Sequence, residues 1–183
     1  MPLCYGGGIK TADQAKRIIG SGVEKVAISS AAVESPALVT AIADEIGGQS
    51  VVVVLDVRKG KRGYEVWTHN GRRATGESAV EAARRAESLG AGEILINSID
   101  NDGMMKGYDL ELARQVREAT KIPMSVLGGA GSLADIARLV DTCGVVGAAA
   151  GSLFVFKGTY KAVLINYPNR AQKEEIVRLA LPA

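Results

Sequence analysis

The feature that most constrains this chain is a sequence pattern that it contains twice. Pro2-Leu3-Cys4-Tyr5-Gly6-Gly7-Gly8 aligns with Pro123-Met124-Ser125-Val126-Leu127-Gly128-Gly129 at one constant offset. Further along each copy, Gly22-Val23-Glu24-Lys25-Val26-Ala27-Ile28-Ser29-Ser30 aligns with Gly144-Val145-Val146-Gly147-Ala148-Ala149-Ala150-Gly151-Ser152. Each copy reads as a strand ending in Gly-Gly, a helix, and a second strand ending in a small residue plus Ser. Backbone N–H groups from two adjacent loops can then converge on an anion. A glycine after a strand is often only a tight turn, but a turn gives no reason for the distant Ser to recur with it. Two such units suggest a ligand with a phosphate at each end.

The 183 residues, 47% hydrophobic and 23% charged, suit one domain spanning 1–183 with a sizeable core. A net charge of +2 is too small to argue for nucleic acid, and Arg58-Lys59-Gly60-Lys61-Arg62 reads as a solvated loop. Cys4 and Cys143 lack metal-ligand spacing and are expected to be buried, reduced thiols; neither a metal nor a cofactor is expected. No signal peptide precedes the first strand and no apolar run approaches a membrane span, so the expected setting is cytoplasmic, with no membrane partner.

Short apolar runs rich in β-branched residues alternate with amphipathic stretches, as in a parallel sheet covered by helices. Strands are predicted near Pro2–Tyr5, Lys25–Ile28, Ser50–Asp56, Glu93–Asn97, Pro123–Leu127 and Val145–Ala150. Helices are predicted near Ala12–Ser21, Pro36–Ile46, Ser78–Leu89, Leu110–Thr120 and Leu133–Asp141, with Thr11, Ser35, Asp109 and Ser132 as N-caps. Repeated βα units leave a doubly wound sheet or a (β/α)8 TIM barrel, and the half-repeat with polar residues at strand ends favours the barrel. Eight units take about 250 residues. With six strands in view, the expectation is an incomplete barrel of six βα units, units 3 to 8, opening on a strand at Met1-Pro2. Tyr64–Gly71 reads as a small hairpin with an Asn-Gly turn inserted above the sheet, and 159–183 as a C-terminal arm packing across one face, with a short helix in Ala171–Ala180.

In barrels the strand C-termini and the loops after them carry the chemistry. Asp56 ends the apolar run Val51–Leu55, where a carboxylate faces the barrel mouth; it is either an acid–base group or a strand-ending Asp paired with Arg58 or Lys59. The loop Asn97-Ser98-Ile99-Asp100-Asn101-Asp102-Gly103 lacks calcium-loop spacing. It is better read as folding over a phosphorylated substrate, with Asp102 on a hydroxyl and Gly103 allowing close backbone approach. His69, the only histidine, reads as a hairpin surface residue, and no Ser-His-Asp or Cys-His set can be assembled.

Tyr5-Gly6-Gly7-Gly8-Ile9, Leu55-Asp56-Val57-Arg58, Gly90–Leu95, Ser98–Gly103, Gly107-Tyr108-Asp109 and Gly128-Gly129-Ala130-Gly131 together resemble the cyclase subunit of imidazole glycerol phosphate synthase, the HisF family, along the whole chain. The resemblance implies a (β/α)8 barrel with a glutaminase (HisH-type) partner on its bottom face, which sends ammonia through the barrel. It implies a bisphosphorylated ribulosyl substrate (PRFAR), converted with ammonia to imidazole glycerol phosphate and the carboxamide nucleotide AICAR. One phosphate would meet Gly8, Ser29 and Ser30; the other Asp102, Gly103, Gly129, Gly151 and Ser152. Asp56 would be one of two catalytic aspartates, the other belonging to a first strand outside these residues. Lys25 and Glu93 would be two of four charged residues ringing the ammonia entrance.

The chain departs from the family's usual residues at Ser29-Ser30 (Asn-Thr), Asn97 (Thr), Met104 (Thr) and Leu127 (Ser). Met105–Asp109 and Ala162–Pro168 are more similar to the branch associated with bacterial surface polysaccharides. That branch supplies ammonia for turning a sugar acetamido group into an acetamidino group, which implies an alternative role as an ammonia-conducting subunit with little chemistry of its own. A third expectation is an inactive fragment that self-associates through exposed barrel edges at Pro2–Tyr5 and Val145–Ala150.

Overall fold

The computed structural model describes residues 2–158, 160 and 162–180. Met1, where the sequence reading opens the first strand, and Thr159, Lys161 and residues 181–183 of the C-terminal arm lie outside the described residues.

Strands β1 (Cys4–Gly6), β2 (Lys25–Ile28), β3 (Val51–Gly60), β4 (Gly63–Thr68), β5 (Arg73–Ser78), β6 (Glu93–Ser98), β7 (Met124–Leu127) and β8 (Gly147–Ala148) form one sheet. Its main path, β1-β2-β3-β6-β7-β8, is parallel throughout. Between its strands run α1 (Ala12–Gly20), α2 (Ser30–Glu34), α3 (Ala37–Ile46), α4 (Ala79–Ser88), α5 (Leu110–Ala119) and α6 (Leu133–Cys143). Among the described residues β1 and β8 do not pair with each other, so the α/β fold is a half-barrel with two open edges.

The strand period of two divides each strand between the faces. On β3, Val51, Val53, Leu55 and Val57 are at most 2% exposed and pack under the helices, whereas Val54, Asp56 and Arg58 on the opposite face are only partly covered. Burying each such aliphatic side chain is worth about 2 kcal/mol. The helices meet this layer with matching stripes, such as Leu112, Ala113 and Val116 on α5. The stripe of α4 is entirely alanine, Ala79, Ala82, Ala83 and Ala86, which lets that helix lie close to the sheet.

Three of the four expected caps are side-chain caps: Thr11, Asp109 and Ser132 accept from the N–H groups of Gln14, Leu112 and Asp135. Ser35 is not one. Its own N–H closes the unforeseen short helix α2 on Ala31, and only its backbone carbonyl receives the first bond of α3, from Leu38. β8 is also shorter than expected, two paired residues instead of Val145–Ala150, and Val145 is exposed. Cys143 is buried as expected, but Cys4 is exposed, because no strand covers the outer side of β1.

The expected hairpin is a larger ribbon. β3 continues past Asp56 to Gly60, pairs antiparallel with β4, and β4 pairs with β5. The four-residue β4–β5 turn carries His69, Asn70 and Gly71 at φ 54°, 57° and 72°, three left-handed residues in a row, and the Arg72 N–H closes it on the Thr68 carbonyl. After β8 come α7 (Ser152–Val155), the antiparallel pair β9 (Phe156–Lys157) and β10 (Ala162–Val163), and α8 (Arg170–Ala180). α8 packs on α6 with Ile176 buried, whereas Val163, Leu164 and Ile165 are exposed, so the middle of the arm does not lie across a face as expected. Among the described residues no helix is long and apolar enough to cross a membrane.

Candidate functional site

Three strand ends place polar side chains beside one another on the face away from the helices. In register, Asp56 of β3 stands opposite Asn97 of β6, and Ser29 follows the end of β2. Ser29 Oγ donates to Asp56 Oδ2 at 3.1 Å, and Asn97 Nδ2 donates to Asp56 Oδ1 at 2.9 Å. Arg58 and Lys59 do not pair with Asp56. They turn to Asp100, Arg58 Nε at 3.2 Å from Oδ1 and the Lys59 N–H donating to Oδ2 at 3.2 Å, while the Arg58 guanidinium stacks on Trp67. The salt-bridging alternative for Asp56 is thus taken up by Asp100.

Asp56 opens onto a cavity of about 840 Å³ whose walls include Gly8, Ser29, Ser30, His69 and Asn70. Gly7 and Gly8, at φ 111° and 74°, turn the chain at its edge, a conformation that suits glycine. Ser30 Oγ accepts the His69 backbone N–H at 3.0 Å, which leaves the Ser30 hydroxyl proton free to donate elsewhere. His69 is half-exposed, its ring Nδ1 3.2 Å from Thr68 Oγ1 and 3.5 Å from Glu34 Oε1. It is a turn residue, as expected, but one on the cavity wall.

The ends of β6, β7 and β8 meet in a second, small cleft lined by Asp102, Gly103, Gly129, Gly151 and Ser152. Here the chain is tightly packed. A Cβ at Gly129 would stand 2.1 Å from the Gly107 carbonyl oxygen, and the Gly107 N–H donates to the Gly129 carbonyl at 2.8 Å. Next to it the Tyr108 hydroxyl donates to the Ala149 carbonyl at 2.9 Å. Burial, assisted by the Asp135 charge, pushes the Tyr108 phenol up to about 12, so it stays protonated in this role.

Nearer the strand starts, Lys25 Nζ lies 2.7 Å from Glu93 Oε2, and Ser125 Oγ donates to Glu93 Oε1 at 2.6 Å. The Glu93 contact raises the Lys25 pKa, so the ammonium form is favoured. The singled-out residues therefore fall into three groups, two beyond the strand ends and one, Lys25 with Glu93, at the strand starts. Ser125 and Asn70 were not among them, and Asn97 was noted only as a departure from the family's usual residue. The strand period from Glu93 would have marked Asn97 as facing Asp56's side, and the alignment of Ser125 with Cys4 placed it on an inward position; the turn residue Asn70 carries no such signal. Among the described residues no three His, Cys, Asp or Glu side chains converge as a metal site would need.

The amino-acid sequence is similar to those of known proteins. A family model described as "Histidine biosynthesis protein" matches residues 1–161. A Leptospira interrogans protein provisionally named imidazole glycerol phosphate synthase subunit HisF is 54% identical over 178 residues, covering 96% of this chain and 70% of the relative. A Vibrio vulnificus (strain YJ016) protein provisionally named subunit hisF3 of the same synthase is 52% identical over 181 residues, 98% of this chain and 70% of its own length. The imidazole glycerol phosphate synthase subunit HisF of Streptomyces coelicolor is 45% identical over 157 residues, 85% of this chain and 62% of that protein. With glycine-ended strands on a parallel half-barrel and this match over nearly its full length, the chain belongs to the HisF family of histidine biosynthesis proteins.

Proposed function

We propose that this chain forms the phosphate-binding and acid–base part of a HisF-type cyclase that uses ammonia from a glutaminase subunit. The observation that carries the reading is the position of Asp56 on the wall of a cavity it shares with Gly8, Ser29 and Ser30, at the same C-terminal end of the strands as the cleft of Asp102, Gly103, Gly129, Gly151 and Ser152. A ligand with a phosphate at each end would lie across the strand ends with its middle over Asp56. Gly103 is exposed at one end, where loop N–H groups could face an anion, and Ser30 offers a hydroxyl proton at the other.

In this reading ammonia attacks the ribulosyl compound, and Asp56 moves protons as the imidazole ring closes and the carboxamide nucleotide leaves. A second carboxylate across the cavity would complete the pair. It belongs to the two βα units that, in our reading, precede β1 and join it to β8, making these strands part of units 3 to 8 of one closed barrel. Lys25 and Glu93, nearer the strand starts, would be two of the four charged residues ringing the ammonia entrance, with Ser125 holding Glu93.

For the biological role we favour the surface-polysaccharide branch. The reading rests on Met105–Asp109 and Ala162–Pro168, which resemble that branch. A role confined to conducting ammonia to a sugar-modifying enzyme is the second reading, favoured by the changed residues at 29, 97 and 127. The test is turnover of the ribulosyl bisphosphate with ammonium by the chain supplied with its preceding units. Robust turnover supports cyclase chemistry; phosphate binding without turnover favours the conducting role.

A further inference from the structure

We infer that Ser29 and Asn97 are positioning residues that clamp the Asp56 carboxylate, and that of the serine pair only Ser30 is left to face an anion. The inference rests on reading Asp56 as the acid–base group. The two donors approach from opposite sides, Ser29 from β2 onto Oδ2 and Asn97 from β6 onto Oδ1, so each oxygen receives one bond. A second donor on the other oxygen, from the opposite side of β3, restricts rotation about the Cβ–Cγ bond more than one donor can. The remaining lone pairs are directed away from both donors, and Asp56 and Ser29 both border the cavity.

The orientation of Asn97 follows from its surroundings. With Asp56 an acceptor, only Nδ2 can face it, which turns Asn97 Oδ1 toward Gly128, where it is buried with no donor among the described residues. Leaving an amide oxygen unpaired costs free energy, so the arrangement persists because the bond to Asp56 dictates it. A Cβ at residue 128 would come within 3.2 Å of that oxygen and 2.6 Å of the Ser98 carbonyl, so Gly128 is the residue that leaves room for the clamp.

The two serines differ in where their single hydroxyl proton goes. Ser29 spends it on Asp56, whereas Ser30 accepts from the His69 N–H and keeps its own. Ser29 is therefore removed from the phosphate set that the family resemblance implies, and Ser30 stays in it. The same two positions are where this chain departs from the family's usual amide at 29 and hydroxyl at 97: here the hydroxyl stands at 29 and the amide at 97, one of each still flanking the carboxylate.

The test begins with a signal independent of turnover, the 13C resonance of the Asp56 carboxyl carbon in the full chain at one fixed neutral pH. Ser29→Ala and Asn97→Ala are each expected to displace it and Ser29→Thr to restore it, while Ser30→Ala leaves it in place. Displacement by Ser30→Ala as large as by Ser29→Ala, or no displacement by either clamp variant, overturns the inference even if the enzyme is active. Kinetics with the ribulosyl bisphosphate and ammonium then give the split: Ser29→Ala and Asn97→Ala are expected to lower kcat on the order of tenfold with KM nearly unchanged, and Ser30→Ala to raise KM instead. Absence of wild-type turnover counts against the functional reading alone, since the resonance still decides the clamp.

Discussion

The two glycine loops share a sequence pattern but not an environment. Among the described residues a Cβ added at Gly7 or Gly8 would meet nothing within 4 Å, because β1 pairs there on one side only and its loop stands beside the large cavity. At Gly128 and Gly129 it would run into the Ser98 and Gly107 carbonyl oxygens at 2.6 and 2.1 Å, because β7 lies between β6 and β8 and the β6–α5 loop folds over it. In the first loop glycine is needed for its backbone angle, in the second for both angle and space. Their helix caps differ in the same sense. Thr11 and Gln14 make a neutral pair, Thr11 accepting from the Gln14 N–H and Gln14 Oε1 from the Lys10 N–H. Their aligned residues Ser132 and Asp135 make a capping box with a charge in it.

The largest effect expected from this contrast is at Gly129. Gly129→Ala combines a left-handed backbone at φ 105° with overlap on a carbonyl that cannot retreat, and is expected to cost about 3 kcal/mol in urea unfolding. Gly8→Ala, with φ 74° and open space, carries the backbone cost alone, about 1 kcal/mol. Equal losses at the two positions would break the comparison.

Of intermediate size is Asp135→Asn, expected to cost about 2 kcal/mol near neutral pH, again by urea unfolding. Burial by itself raises the Asp135 pKa, but the Arg138 guanidinium, the Gly131 and Ser132 N–H groups and the Ser132 hydroxyl outweigh it and hold the carboxyl below its ordinary range. A carboxyl depressed in the folded state contributes its full stability above the unfolded value of about 3.9 and loses it as pH falls through the folded one. The gap between wild type and Asp135→Asn should therefore be constant from neutral pH down to about 5 and close below about 4. Gln14→Ala, at the aligned position, should show a small cost with no pH dependence across that range.

Much of this was legible in the sequence because local signals and tertiary demands agree. β2 was read to the residue, Lys25–Ile28, since its apolar run is bounded by Gly22 and the paired serines. The caps at Thr11, Asp109 and Ser132 stand directly before amphipathic periods. The grouping of Asp102 and Gly103 with Gly129, Gly151 and Ser152 came from the family resemblance, carried over residue by residue, and these residues line one cleft. What failed depended on neighbours. Nothing local distinguishes Cys4 on an open edge from a buried strand cysteine, and the β-rich Val145–Ala150 run pairs only where β7 reaches it. Ser35 has a capping side chain, but the turn that closes α2 leaves it as a linker between two helices. Hydroxyl direction, which separates Ser29 from Ser30, is set by Asp56 and His69 from strands distant in the sequence.

The most direct test of the account is calorimetric titration of the chain with a ribulosyl bisphosphate ligand and, separately, with its two monophosphate halves. Loops that hold the two ends of one molecule should bind one bisphosphate per chain, far more tightly than either half, because the second end binds at the effective concentration set by the first. Ser30→Ala should weaken the bisphosphate and the half seated against β1 and β2 while sparing the other half. Two independent weak sites, with no gain for the bisphosphate over its halves, would contradict the claim that the repeated glycine loops serve one ligand across Asp56.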